Sequence, residues 1–303
     1  MKGELTIMGL MALFGVPERI SAKCLGLMRE CNWKYRILTG PEQRDMLTEV
    51  SSYSDAQEPR YGVMRWITGW EENLGRLHGR ESEALVPAYI RPAQTVRLAG
   101  RYVAPSSKLF ELNWYRVFRH WLFESYLDDV DYVYEFGCGS GWNLEALGKM
   151  YPGKTYVGLD WVAPSIAIVN ELGALHGWKM TGVPFDFFDP WQNLGIPPNT
   201  AVLTVGALEQ TGERWGPFLE YLLEQRPRRV VHVEPMVEWY KPEKPVDAVA
   251  IKFHLNRGYM RGYWLALKQL EHKGKVRIMK AHRTGFGSLY HEGYSQLIWE
   301  PVT

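Results

Sequence analysis

The stretch from Tyr132 to Gly141 constrains the fold more than any other part of the sequence; it reads Tyr-Val-Tyr-Glu-Phe-Gly-Cys-Gly-Ser-Gly. Its first half is rich in β-branched and aromatic residues, which favour extended backbone. Glycines then alternate with other residues at 137, 139 and 141, and residues 142–150 suit a helix. Because glycine adopts positive φ and exposes bare backbone, a strand, glycine turn and helix in this order predict a ligand cradle at a strand's carboxyl end.

The spacing of the glycines narrows the class of ligand. Gly-x-Gly-x-Gly differs from the Gly-x-Gly-x-x-Gly of dinucleotide-binding proteins, and no Lys-Ser/Thr pair follows it as in a P-loop. Glu135 ends the first predicted strand, and Asp160 ends a second one at Thr155–Leu159. A carboxylate at Asp160 can accept hydrogen bonds from both hydroxyls of a ribose. The alternatives are a glycine turn that serves packing alone, and a helix N-cap at Asp160.

Four segments together resemble one known family, the class I S-adenosylmethionine-dependent methyltransferases. They are Glu135-Phe-Gly-Cys-Gly-Ser-Gly141, Val157-Gly-Leu-Asp160, Phe185-Asp-Phe-Phe-Asp189 and Leu203-Thr-Val-Gly-Ala-Leu-Glu-Gln210. The resemblance covers about residues 131–303. It implies an α/β fold with a Rossmann-like, seven-stranded, mostly parallel sheet that has helices on both faces. It also implies a methyltransferase that uses S-adenosyl-L-methionine.

The same resemblance implies a set of cofactor contacts. Asp186 occupies the position whose side chain accepts a hydrogen bond from the adenine amino group, and the backbone N–H of Phe187 meets a ring nitrogen. Small residues after the fourth strand let the backbone approach the methionine end. The implied cofactor-binding residues are Glu135, Gly137, Cys138, Gly139, Gly141, Asp160, Trp161, Asp186, Phe187, Gly206 and Ala207.

The residues that act on the acceptor are less clearly marked. Gln210 stands where the family often has a histidine, and its amide cannot act as a general base. Glu234, at the end of the strand at 230–234, and His254 are therefore the candidate catalytic residues. The alternatives are a structural acid that caps a helix for Glu234 and a structural histidine for His254. Candidate substrate contacts are Tyr240, Arg257 and His291.

The chain divides into two predicted parts. Residues 1–107 have an irregular pattern broken by prolines, and we expect a mainly helical cap that recognises the substrate. Residues 108–303 form the predicted methyltransferase domain, with a helical insert at about 247–270. An aromatic stripe at helical spacing predicts a helix over Leu109–Leu127.

Composition argues against a nucleic-acid-binding, a disulfide-rich and a membrane-spanning protein. The net charge of +1 provides no overall field for nucleic acid. Three cysteines do not make a disulfide framework, and no cluster has metal-ligand spacing, so no metal is expected. The apolar stretch Leu5–Val16 is too short to span a bilayer, and the cytoplasm is the expected compartment.

The predicted reaction is methyl transfer to a small polar acceptor, such as a hydroxyl of a sugar or secondary metabolite. We expect a small-molecule partner, no nucleic acid and no membrane span, and the sequence leaves a homo-oligomer open. Two other functions fit part of the pattern: an NAD-dependent oxidoreductase, which also ends its second strand in an acid, and a non-catalytic regulatory protein that binds S-adenosylmethionine.

Overall fold

The computed structural model describes residues 2–16, 20–56, 63–81, 83–190 and 194–302. The strands are β1 (Lys2–Glu4), β2 (Lys34–Ile37), β3 (Val96–Leu98), β4 (Arg101–Pro105), β5 (Tyr132–Phe136), β6 (Thr155–Asp160), β7 (Lys179–Pro184), β8 (Thr200–Val205), β9 (Arg229–Val233), β10 (Val276–His282), β11 (Phe286–Gly287) and β12 (Gln296–Pro301). The helices are α1 (Ile7–Phe14), α2 (Ala22–Glu30), α3 (Gly40–Ala56), α4 (Val63–His78), α5 (Phe110–Tyr126), α6 (Trp142–Met150), α7 (Ala163–His176), α8 (Gly216–Gln225), α9 (Pro245–Arg257) and α10 (Tyr263–His272). Single 3₁₀ turns lie at Leu208–Thr211 and Val237–Trp239.

A seven-stranded sheet forms the centre of the molecule, in the order β10-β12-β9-β8-β5-β6-β7. Neighbours from β9 to β7 are parallel, whereas β12 is antiparallel to both β9 and β10. The predicted Rossmann-like α/β fold, with a mostly parallel sheet of seven strands, is confirmed.

Helices cover both faces of this sheet, because its central strands are apolar on both sides. Alternate residues of β5 and β8 point to opposite faces of the sheet, and each face has its own hydrophobic core. Val133 and Leu203 pack with α5, α6 and α7 on one face. Tyr134 and Val202 pack with α8 and α10 on the other.

The parallel register brings four strand ends to one edge. Phe136 of β5 pairs with Leu159 of β6, and Val205 of β8 pairs with Val233 of β9. The segments that follow these strands therefore lie side by side at the carboxyl edge, where open α/β sheets bind ligands.

The N-terminal region is less helical than expected. It contributes β1 to β4 as well as α1 to α4, and these strands form a second, antiparallel sheet in the order β1-β2-β4-β3-β11. The last strand, β11, comes from the connection between β10 and β12. The strands β1 and β3 have three residues each, which is too short for alternation to mark them in the sequence.

The predicted aromatic helix is α5, and its stripe is buried. Trp114 and Phe118 are stacked at 5.0 Å between ring centroids, and Phe14 of α1 meets Trp114 edge-on at 5.3 Å. On its other side Trp114 stacks on Phe286 of β11 at 4.1 Å. The aromatic side chains of α5 thus pack between the two sheets and connect them.

None of the helices in the described ranges combines the length and hydropathy needed to cross a bilayer. Within the same ranges, no three or more His, Cys, Asp or Glu side chains are arranged to hold a metal ion.

Candidate cofactor and acceptor site

The turn after β5 is held against β6 by backbone hydrogen bonds. The N–H groups of Gly137 and Cys138 both donate to the carbonyl of Leu159, at 2.7 and 3.1 Å. The next N–H, that of Gly139, donates to Oδ2 of Asp160 at 2.9 Å. The glycine turn and the acid at the end of β6 therefore form one unit.

Gly137 is the tightest position in the turn. Its φ is 71°, a region that side-chain-bearing residues seldom adopt. A Cβ added there would lie 2.3 Å from the Cβ of Ala207 in the segment after β8. Glycine at 137 thus lets the two segments touch at the sheet edge.

Replacing Gly137 with Ala should destabilise the protein by about 2–3 kcal/mol, because it adds left-handed strain and a clash with a backbone-fixed methyl group. Urea unfolding measures the change in the free energy of unfolding. Gly153→Ala is the matched control, since a Cβ there meets nothing within 4 Å. Equal stability of both variants would show that the close approach of Gly137 and Ala207 is not maintained in solution.

Glu135 supplies a buried carboxylate beneath the turn. It is 1% exposed, and Asn143 donates to its Oε1 at 2.8 Å. Its Oε2 has no hydrogen-bond partner among the described residues. Burial raises the pKa of this carboxyl to about 8. A buried acceptor without a partner costs about 1–3 kcal/mol, so this oxygen suits a ligand that donates a hydrogen bond.

Asp160 is buried at the end of β6. Its Oδ1 accepts from the N–H of Val162 at 3.2 Å, while its Oδ2 holds Gly139. Burial raises the pKa of Asp160, although backbone donors oppose the shift. Because each carboxylate oxygen has two lone pairs, the side chain can hold these donors and still accept two ligand hydroxyls.

The other predicted cofactor residues lie along the same edge. Gly206 has φ 59° and leads into Ala207. Trp161 is half-exposed beside Asp160. Asp186 is exposed and its Oδ1 accepts from the N–H of Phe188 at 2.8 Å, whereas the Phe187 ring packs edge-on against Phe218 at 4.7 Å.

The thiol of Cys138 is buried inside the turn. Burial and the nearby charges of Asp160 and Glu135 raise its pKa well above the usual range. Such a thiol is a poor nucleophile, and the side chain acts as a small apolar residue.

The N-terminal region covers the glycine turn. A Cβ on Gly139 would lie 2.8 Å from the indole of Trp70 on α4. Ser140 donates from Oγ to the carbonyl of Leu85 at 2.6 Å, and Asn73 of α4 donates to the carbonyl of Ala84 at 2.6 Å. The sequence did not indicate this contact, because no local pattern relates α4 to a turn about 70 residues further along the chain.

Glu234 follows β9 and contacts the turn after β8. Its side chain is fully buried, and its carboxylate accepts from the N–H groups of Ala207, Leu208 and Glu209, each at 3.1 Å. Burial raises the pKa of this carboxyl to about 7. The geometry favours the alternative of a structural acid that caps the 3₁₀ turn after β8.

A second polar group lies across the edge from the glycine turn. Nε2 of His254 is 3.1 Å from Nδ1 of His291, and that Nδ1 is 4.0 Å from Oε2 of Glu209. His254 is 1% exposed, whereas the side chain of His291 is 16% exposed. Burial lowers the pKa of both rings, that of His291 to about 3, so both are neutral near neutral pH.

Two further predicted substrate residues join this group. The guanidinium of Arg257 lies 5.7 Å from the ring centroid of Tyr259, which is 5.4 Å from the ring of His254. The ring of Tyr240 lies 5.6 Å from His254 on the other side. The structure therefore brings Tyr240, His254, Arg257 and His291 together.

Buried ion pairs fix the segment that presents His291. Arg283 binds Asp247 of α9 through Nη1 at 2.8 Å, and it binds Glu292 through Nε at 2.6 Å. Arg97 of β3 donates from Nη1 to the carbonyl of Tyr290 at 2.8 Å. One cluster thus attaches α9, the N-terminal sheet and the loop before β12 to each other.

Comparisons with known proteins concern the fold. Neither protein-family models nor curated protein sequences give a significant match to the chain. Among solved structures, TnmH is 26% identical over 58% of this chain, with a TM-score of 0.41, and the match spans 51% of TnmH, about half its length. The 16S rRNA methyltransferase RmtF, in complex with S-adenosyl-L-homocysteine, is 16% identical over 86% of this chain and 82% of its own, with a TM-score of 0.47. The O-methyltransferase NcsB1 from neocarzinostatin biosynthesis is 14% identical over 79% and 70%, with a TM-score of 0.43.

The chain's own architecture decides the fold. Seven strands, mostly parallel, end in an antiparallel pair formed by β10 and β12. A glycine turn after β5 lies beside an acid at the end of β6, as in the family that the sequence resembles. The chain therefore has the Rossmann-like fold of the class I S-adenosylmethionine-dependent methyltransferases.

Proposed function

We propose that the protein is a methyltransferase that binds S-adenosyl-L-methionine at the carboxyl edge of the central sheet. One observation carries the proposal: the buried Oε2 of Glu135 has no hydrogen-bond partner in the ranges described, directly beneath a turn of three glycines with positive φ. An amino-acid ammonium group is a donor that matches such an oxygen. The carboxylate of Asp160 matches the two hydroxyls of a ribose.

The other predicted residues complete this arrangement. Gly137, Gly139 and the backbone of Cys138 would lie under the methionine half, with Gly141 behind them. Gly206 and Ala207 would border its sulfur end, and Trp161, Asp186 and Phe187 would surround the adenine. When bound, the cofactor supplies a methyl group on a positively charged sulfur. The protein then contributes mainly by orienting the acceptor, which provides up to ~7–11 kcal/mol in well-oriented reactions.

For the acceptor we propose a small polar molecule that presents a hydroxyl, such as a sugar or a secondary metabolite. Three features support a small molecule. The turn is covered by α4 and by residues 84–85, the opposite side is formed by Tyr259, His254 and His291, and the net charge of +1 offers little attraction to nucleic acid.

Calorimetry with S-adenosylhomocysteine tests the proposal, and NAD is the matched negative ligand. We expect saturable binding of S-adenosylhomocysteine and no heat from NAD. Heat from NAD alone would favour the oxidoreductase. If neither S-adenosylhomocysteine nor S-adenosylmethionine bound, the methyltransferase hypothesis would be wrong. Turnover of labelled S-adenosylmethionine with a panel of hydroxyl-bearing acceptors then separates an enzyme from a protein that only binds the cofactor.

A further inference from the structure

Glu209 is a buried acid in the turn after β8, and the proposed cofactor contacts do not use it. It is 7% exposed. Gln210 donates from Nε2 to its Oε1 at 2.8 Å, but its Oε2 has no hydrogen-bond partner in the part of the chain that the structure describes. The backbone is fixed as well, since the N–H of Met260 donates to the Glu209 carbonyl at 2.7 Å. The unpaired oxygen is therefore held in place rather than free to turn towards water.

Glu209 and Glu234 form a pair of buried carboxyls with unequal surroundings. Glu234 accepts three backbone N–H groups, which stabilise its ionised form. Glu209, in contrast, accepts a single hydrogen bond, from the side-chain amide of Gln210. Burial and the charge of Glu234 raise the pKa of Glu209 well above its usual range. When two neighbouring carboxyls differ in this way, the less stabilised one is the better proton acceptor.

The position of Glu209 relates it to both halves of the site. It follows Ala207, whose Cβ lies 2.3 Å from a Cβ placed on Gly137, and its Oε2 is 4.0 Å from Nδ1 of His291.

Among the described residues, Glu209 is the carboxyl that lies beside His291, with its Oε2 4.0 Å from Nδ1 of that ring. The neighbouring carboxyl, Glu234, is occupied by three backbone N–H groups. His291 and His254 have pKa values lowered by burial, and tyrosines titrate only at alkaline pH. Arg257 lowers the pKa of Glu209 without reversing the shift. In the part of the chain that the structure describes, the titratable and charged groups near Glu209 include Tyr89, Glu234, Arg257, Tyr259 and His291, and His254 lies against His291.

From this arrangement we infer that Oε2 of Glu209 binds the hydroxyl of the acceptor and takes its proton, with His291 beside it as a positioning residue. The inference rests on the proposed function. The acceptor oxygen forms its new bond to the methyl carbon while the carbon–sulfur bond breaks and its electron pair stays on sulfur. The hydroxyl proton passes to Glu209, which becomes a neutral acid. This role replaces the one that the sequence suggested for His254, because His254 lies behind His291.

Sinefungin provides a test that does not need the acceptor. In this analogue an amino-bearing carbon replaces the methylsulfonium centre, so its ammonium group reports on an anionic partner at the methyl position. We expect the wild-type protein to bind sinefungin at least ~10-fold more tightly than S-adenosylhomocysteine, as a buried charge pair allows. In Glu209→Gln this preference should disappear, with S-adenosylhomocysteine affinity unchanged. Calorimetry measures both ligands.

Glu213→Gln is the matched control, because Glu213 lies in the same segment but is exposed and paired with Arg261 at 2.9 Å. It should keep the preference. The preference of the wild type should also decline as pH falls, because protonation removes the charge of Glu209. The inference would be overturned if Glu209→Gln lost affinity for sinefungin and S-adenosylhomocysteine equally, or if its affinity for both were unchanged. If that variant does not fold, a preference in the wild type that is absent or independent of pH would overturn it. If the wild-type protein did not bind S-adenosylhomocysteine at all, that result would instead refute the proposed function.

Discussion

Replacing Asp160 with Ala should weaken the binding of S-adenosylhomocysteine at least ~100-fold. Under the proposed function, the variant loses two charge-assisted hydrogen bonds to the ribose, each worth ~1.5–3 kcal/mol. It also leaves the N–H of Gly139, which now donates to Asp160 at 2.9 Å, without a partner in the turn. Calorimetric titration measures the affinity directly, and no acceptor is required.

Asp131→Ala is a suitable control for this experiment. Asp131 lies just before the first residue of β5, at the edge of the sheet away from the proposed site. It is exposed and accepts a hydrogen bond from Asn199 at 2.7 Å. Its removal should leave the affinity within about twofold, because an exposed pair contributes little. Wild-type affinity in Asp160→Ala would show that this carboxylate does not hold the ribose, even if the cofactor binds at this edge.

Replacing Arg283 with Met should lower the free energy of unfolding by about 3–5 kcal/mol, the usual cost of breaking a buried ion pair by removing one partner. The side chains of Asp247 and Glu292 are each 1% exposed, and without Arg283 their charges lose their main cationic partner. Urea unfolding at neutral pH gives the magnitude. We also expect weaker protection of the loop that presents His291 in hydrogen exchange.

Arg261→Met offers the contrast of an exposed pair with Glu213, and its effect should stay below about 0.5 kcal/mol. The pH dependence gives a second check. Burial opposes ionisation of Asp247, but hydrogen bonds from Arg283 and the N–H of Lys241 outweigh it and lower the pKa of Asp247. The stability from this pair is therefore present above the pKa of Asp in the unfolded chain and is lost as pH falls. A difference between wild type and Arg283→Met that does not shrink in acid would contradict the ion-pair explanation.

The sequence was sufficient for the central sheet because its signals are local. The glycine turn, the acid of Asp160 and the apolar run of β8 each lie within a few residues, and helices between them impose parallel strands. Once the strands are parallel, their carboxyl ends meet at one edge. The grouping of Glu135, Asp160 and Gly206 follows from order along the chain and needs no knowledge of long-range contacts.

The acceptor side could not be predicted in the same detail. Glu209 and His291 approach only because the connection between β10 and β12 folds back over the sheet edge, and no local pattern encodes that contact. Glu234 shows the converse limit. Its position at the end of β9 is equally consistent with a general base and with an acid that caps a helix. Only the hydrogen bonds from three N–H groups of the 3₁₀ turn favour the second role.

The pairing of β11 with β3 has a consequence for how the protein is made. The ribosome synthesises β1 to β4 before Phe286 and Gly287, so the edge of β3 that pairs with β11 stays open until β11 has been made. The same late segment carries His291. The proposed acceptor side of the site therefore forms only after this segment has been made, and long-range pairing of this kind is slow. A chain that stops short of β11 would leave an unpaired strand edge, the feature that promotes aggregation.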